Sequence, residues 1–145
     1  MYQGRLSRPI LERIDICAEA RPVRFSDIRG EGQEESSETI RARVEAVCQR
    51  QRFRFRQEER IRYNSEMTPK ELDRFCRLGG EQERFIRQVF EKKGLSARTF
   101  HKVLRVARTI ADMEEAAEIK TAHLAEAVQL RSFEDRLWGG AGYGG

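Results

Sequence analysis

The sequence predicts an all-α domain, a bundle of four to five helices. Three observations carry that expectation. From about residue 36 onward, apolar residues recur at spacings of three and four, as in Phe85, Ile86, Val89 and Phe90 or Phe100, Val103, Leu104 and Ala107. Helix-starting and helix-stopping residues punctuate these stretches. The one strand-like run, near the N-terminus, has no second strand to pair with. No helix here could bury its face alone, so the helices must pack against one another.

The opening "MYQGRLSRPILERIDICAEA", residues 1–20, reads as a short apolar helix followed by the strand-like run. With no sheet visible to receive that strand, the chain reads as a piece of a longer protein. Residues 21–35 read as a flexible linker, because Asp27, Gly30, Gly32 and the acids Glu31, Glu34 and Glu35 break any period.

A helix is expected to open at Ser36 or Ser37, either of which can cap its first turn, and Glu38 suits the positive helix end. Ile40, Val44 and Val47 form one face, with Cys48 beside it, while Arg41 and Glu45 can pair on the other side. The register blurs in "RQRFRFRQEERIR", residues 50–62, where strand-like alternation would turn both Phe53 and Phe55 inward.

Thr68, Pro69 and Glu71 make a helix start, with Leu72, Phe75 and Cys76 inward and Gly79–Gly80 as the stop. The next helix spans about Glu81 to Lys93 and ends on Gly94. Then comes "LSARTFHKVLRVARTIAD", residues 95–112, capped by Ser96. Its face of Phe100, Val103, Leu104, Ala107, Ile110 and Ala111 is the cleanest amphipathic pattern in the chain. A last helix starts near Thr121 and turns Leu124, Ala127, Val128 and Leu130 inward. The helical domain is expected over residues 36–137, with a disordered glycine-rich tail at 138–145.

The 145 residues leave room for one modest domain. Lys and Arg number 28 against 24 Asp and Glu, a net charge of +4, too mild for a dedicated DNA wrapper. Most of the cations are arginine, which suits bidentate grips on phosphate or carboxylate. Cys17, Cys48 and Cys76 form no metal-binding spacing, and a reduced, cytoplasmic setting is expected. No metal site and no membrane span are expected in this chain. No GxxxxGK[ST] phosphate loop occurs.

Arg98 is the second residue inside the helix that Ser96 caps. A cation there is disfavoured by about 0.3–1 kcal/mol. A bound anion is favoured at the same place, since free N–H groups point outward and arginine can grip phosphate through two donors. The competing reading pairs Arg98 with a linker acid or leaves it in water. Arg105 and Arg108 fall off the apolar stripe, which suits a solvated face, or more weakly a DNA-facing or subunit-facing one. Arg13, in "PILERID", reads as a surface arginine pairing with Glu12 or Asp15, or as a side chain projecting into a neighbouring subunit. His101 and His123 are expected at helix surfaces or boundaries, and Cys48 and Cys76 as small core residues. The Arg/Phe run at 52–56 raises nucleic-acid binding through phosphate contacts and base stacking, diluted by Glu58 and Glu59. No general base can be named.

The segments "GRLSRPILERIDICAE", "SSETIRARVEAVCQRQ", "FCRL" and "LSARTFHKVLRVARTIADM", then "HLAEAVQLR", together resemble the C-terminal part of the magnesium-chelatase-like AAA+ ATPases, and within them the bacterial competence-associated ComM/YifB branch. The resemblance covers residues 4–137 and is most specific at Leu95–Asp112 and His123–Arg131. It implies the helical lid of a ring-forming ATPase, preceded by a detached tail of the ATPase core. It also implies an upstream core domain carrying ATP and Mg2+, a homo-oligomeric ring, expected as a hexamer, and DNA as the parent's partner in branch migration during natural transformation. This chain alone is then not expected to hydrolyse ATP or hold a cofactor. Arg98, beside Ser96, matches the second sensor arginine at a lid-helix start. Arg13 falls in the region of the arginine finger. The family's Asn-Ala pair is here Asn64-Ser65. The alternatives are a helical DNA-binding module with Arg52, Arg54, Arg56, Arg105 and Arg108 on one basic face, a regulatory or assembly domain, and a magnesium chelatase lid.

Overall fold

The computed structural model describes residues 8–11, 13–18, 20, 22–28 and 34–131. Among these the fold is all-α and contains no strand. Two single-turn helices, α1 (Arg8–Leu11) and α2 (Phe25–Ile28), precede the bundle of α3 (Ser37–Arg54), α4 (Pro69–Phe75), α5 (Gly80–Lys93), α6 (Ala97–Met113) and α7 (Thr121–Gln129). A 3-10 turn at Asn64–Glu66 links α3 to α4. The helix expected near the N-terminus is thus present as α1. The run after it, expected as strand-like, is irregular chain, and Cys17 N–H donates to the Leu130 carbonyl at the end of α7 rather than to a strand. The turn of α2 lies inside the segment read as linker. The glycine-rich tail lies outside the described residues.

Helix α6 is the axis of the bundle, packed by α3, α4, α7 and the 3-10 turn, with α5 closing against α7. Its Val103, Leu104, Ala107, Ile110 and Ala111 are buried as the periodicity predicts. So are Val106, Lys102, Arg108 and Asp112, because partners surround the helix rather than flank one side. Ser96 caps α6 by accepting from Thr99 N–H at 3.2 Å. The core is completed by Phe55, Ile61, Met67, Leu72, Cys76, Ile86, Ile119, Leu124 and Ala127. Gly94, at φ +62°, ends α5 in the left-handed region that glycine enters without strain. Glu71 starts α4 by accepting from Thr68 N–H at 2.8 Å and from the Thr68 hydroxyl. Gly79 and Gly80 start α5; Cys76 is where α4 stops.

Helix α3 departs from expectation. Ile40 and Val44, expected to face inward, are 42% and 53% exposed. Arg50 already reaches the Asp112 carbonyl and the Glu115 carboxylate at the far end of α6, and no α3 residue before it is buried among the described residues. Of the two phenylalanines at its C-terminus, Phe55 is buried edge-on to Phe75, while Phe53 stays outside beneath the Arg56 guanidinium. Helical rather than strand-like spacing at Phe53 puts the pair on different faces.

Candidate functional site: a cation-lined cleft at the start of the central helix

The first turn of α6 carries no acidic residue to neutralise its N–H groups. An open cavity of about 460 Å³ lies there, lined by Arg13, Asp15, Arg98, His101, Lys102 and Arg105. The chain brings the two parts of this lining together from opposite ends. Arg131, just past α7, donates through Nη1 to the Ile14 carbonyl at 2.6 Å and to the Asp15 carbonyl at 3.3 Å. With the Cys17–Leu130 backbone bond at 2.8 Å, this seats residues 14–17 against the bundle and carries Arg13 to the mouth of the cavity.

Four cationic side chains therefore face one carboxylate. Arg13 and Arg98 are exposed. Arg105 is tethered, its Nε donating to the Met67 carbonyl at 2.9 Å. Lys102 is the most buried: its side chain is only 9% exposed, and Nζ lies 3.5 Å from Asp15 Oδ1 with no well-formed hydrogen bond among the described residues. Burial lowers the Lys102 pKa, Asp15 pulls it back up, and the Arg131 and Arg105 charges lower it further. Such a cleft can accept a polyanion of phosphate size through charge-assisted hydrogen bonds.

The structure thus gathers Arg13, Arg98 and Arg105 in one place. Ser96 stands at the helix cap beside them and is not among the cavity's lining residues. Arg108 is placed elsewhere. A solvated face was its expected surrounding, and this is corrected: it is 3% exposed, donates to the Ala116 and Ala117 carbonyls at 2.7 and 3.0 Å, and pairs with Asp112 at 3.1 Å. Arg54 is committed to the same carboxylate and to Asn64. Arg52, Arg54, Arg56, Arg105 and Arg108 consequently do not form one exposed basic face. His123 also differs from expectation. It is 1% exposed, with Nδ1 accepting from Lys120 N–H at 2.9 Å and Nε2 bonded to Glu114 at 2.7 Å, so it ties the start of α7 to the end of α6.

Sequence reasoning missed Lys102 and Asp15 as cavity residues. The one available signal was Lys102 falling one residue before Val103 on a helix whose N-terminal turns already carry Arg98 and His101.

An all-α bundle of this kind, without strands among the described residues, is consistent with an AAA+ C-terminal helical lid. The sequence places it within that class. Residues 34–131 match the family described as "Magnesium chelatase, subunit ChlI C-terminal", and the chain belongs to this magnesium-chelatase-like family. It is 37% identical over 139 residues to uncharacterized protein YifB of Salmonella typhimurium, covering 94% of this chain and 26% of the relative. It is 33% identical over 132 residues to competence protein ComM of Haemophilus influenzae, covering 90% of this chain and 25% of the relative. YifB of Escherichia coli is 36% identical over 139 residues, covering 94% and 26%. The chain spans about a quarter of the length of these relatives. Among the described residues no helix is long and apolar enough to cross a membrane, and no three His, Cys, Asp or Glu side chains could share a metal ion.

Proposed function

We propose that this chain works as the phosphate-sensing lid of an ATP-driven ring motor that acts on DNA during recombination or natural transformation. The observation that supports this most is the shared cavity. Arg13 and Arg98, far apart in sequence, both line it, beside a helix start that lacks acidic residues. Its cationic lining fits the phosphates of ATP. The described residues do not fit Mg2+, which needs oxygen ligands that this cleft does not group; the upstream core would have to supply them. Arg13, Arg98 and Arg105 would hold charge that develops on the terminal phosphate, the role a preorganised cation plays in phosphoryl transfer. Since Arg13 and Arg98 open on one cavity, they serve one nucleotide. If Arg13 reaches across a subunit boundary, Arg98 does so with it.

The test uses the full-length parent with Arg98→Ala, measuring ATP turnover at saturating ATP with branched DNA present, once ring assembly is shown intact. A loss of roughly a hundredfold is expected, the scale of removing one transition-state donor. Unchanged turnover and nucleotide affinity would leave this domain as scaffold.

A further inference from the structure

We propose that Asp15 is a built-in stand-in for the anion at this cleft, and that Lys102 is the ligand it holds in reserve: an incoming phosphoanion displaces the Asp15 carboxylate and takes over Lys102 Nζ. This rests on the phosphate reading of the cavity and adds to it a residue pair outside the arginines.

A buried ammonium without hydrogen bonds is costly, and proteins rarely keep one without a use for it. Lys102 Nζ makes no well-formed hydrogen bond among the described residues, and its ionic neighbour there, Asp15 Oδ1, stands 3.5 Å away, a long and weak contact for an ammonium. The ammonium is therefore screened but not satisfied. The carboxylate itself is 57% exposed, so water or a competing anion can reach it. Its backbone is held separately, through the Arg131 bonds to the carbonyls of residues 14 and 15 and the bond from Cys17 N–H to Leu130. Asp15 can thus swing its side chain away while the chain that positions Arg13 stays in place. Removing one carboxylate leaves Arg13, Arg98, Lys102 and Arg105 facing a single open volume, a set that matches a multiply charged phosphoanion better than one carboxylate.

Two consequences separate this arrangement from a generic basic surface. Asp15 opposes anion binding, so its neutralisation should strengthen binding. It does so through Lys102, so that gain should vanish when Lys102 is gone. The experiment titrates inorganic tripolyphosphate into the 145-residue chain at low salt, by calorimetry and by amide chemical shifts at the start of α6. It compares wild type, Asp15→Asn, Lys102→Met, the double variant and Arg98→Ala, each first checked for its thermal midpoint. Asp15→Asn is expected to bind about tenfold tighter and Lys102→Met about tenfold weaker, the worth of one charge-assisted contact. In the Lys102→Met background the Asp15→Asn gain should fall to about twofold or less, the non-additivity of a coupled pair. Equal gains in both backgrounds would overturn the pairing, as would a Lys102→Met affinity equal to wild type. If Arg98→Ala still weakens binding in those cases, the phosphate site survives and only the Asp15–Lys102 exchange falls. If no variant binds tripolyphosphate at all, both fall together.

Discussion

The two ends of α6 handle charge in opposite ways. At the C-terminal end, Asp112 is fully buried and answered from several sides: Arg54 grips both of its oxygens, Arg108 lies at 3.1 Å, and Asn64 donates at 2.9 Å. Asn64 is itself fixed by Thr109 and by Gln51, and Arg108 spends its remaining donors on the loop carbonyls, with Nε left over. At the N-terminal end, four cations face one exposed carboxylate, and the most buried of them makes no well-formed hydrogen bond among the described residues. Interior charge kept for architecture is matched where it lies, whereas an imbalance maintained beside an open cavity points to a partner still to arrive.

The sharpest way to break this contrast is Asp112→Asn. The buried Arg108 and the half-buried Arg54 guanidiniums would lose their counter-charge, and the cost expected is about 3–5 kcal/mol, read from the urea midpoint. Acid should expose the same network. Burial pushes the Asp112 pKa up, but hydrogen bonds from Arg54 and Asn64 and the charges of Arg54 and Arg108 outweigh it and leave the pKa lowered. Its contribution is then complete above the unfolded value of about 3.9 and is lost as pH falls through the lower folded value. The Asn variant should show a shallower acid slope in that window. Asn64→Ala comes next, at about 1–3 kcal/mol, because it strips donors and an acceptor from a buried network without removing a charge.

At the other end of the helix the same kind of substitution should act in the opposite direction. Lys102→Met removes a buried cation that is poorly answered, and stability should stay within about 0.5 kcal/mol of wild type or rise above it. The Lys102 pKa is lowered, first by burial and then by Arg131 and Arg105, against the pull of Asp15; Arg13, Arg98 and His101 line the same cavity. A base with a lowered folded pKa binds fewer protons than the unfolded chain between the two values. Stability should therefore climb with pH from the lowered value to about 10.4, and that climb should be missing in Lys102→Met. A loss of several kcal/mol in this variant would mean that the two ends are alike after all.

Much of the bundle was legible in the sequence because it rests on local signals. The faces of α5, α6 and α7 follow from spacing, and Ser36, Ser96, Thr68 and Gly94 stand at the helix ends where their chemistry puts them. The cation set was legible only in part. Arg13 and Arg98 stand out in the sequence, but Lys102 looks like any polar residue between two turns, and nothing local foretells its approach to Asp15. The Asp112 network was illegible for a related reason. Asn64 and Arg54 lie 48 and 58 residues from their shared partner, and a polar residue on a helix reads as surface until the elements that surround it are known. The failure at Ile40 and Val44 is the converse: spacing identifies an apolar face but not whether anything lies against it.

The smallest expected effect sharpens the contrast by separating the helix start from the side chains around it. Ser96 Oγ accepts from Thr99 N–H at 3.2 Å and lies 3.1 Å from the Thr99 hydroxyl. Ser96→Ala should cost about 1 kcal/mol of stability, the ordinary loss of a cap. Since the cavity wall is made by Arg13, Asp15, Arg98, His101, Lys102 and Arg105, tripolyphosphate affinity should change by no more than about twofold. A fall as large as that of Arg98→Ala would shift the anion's anchor from the cationic side chains to the capped backbone. The imbalance at this end of α6 would then belong to the helix terminus itself, and the side chains would merely screen it.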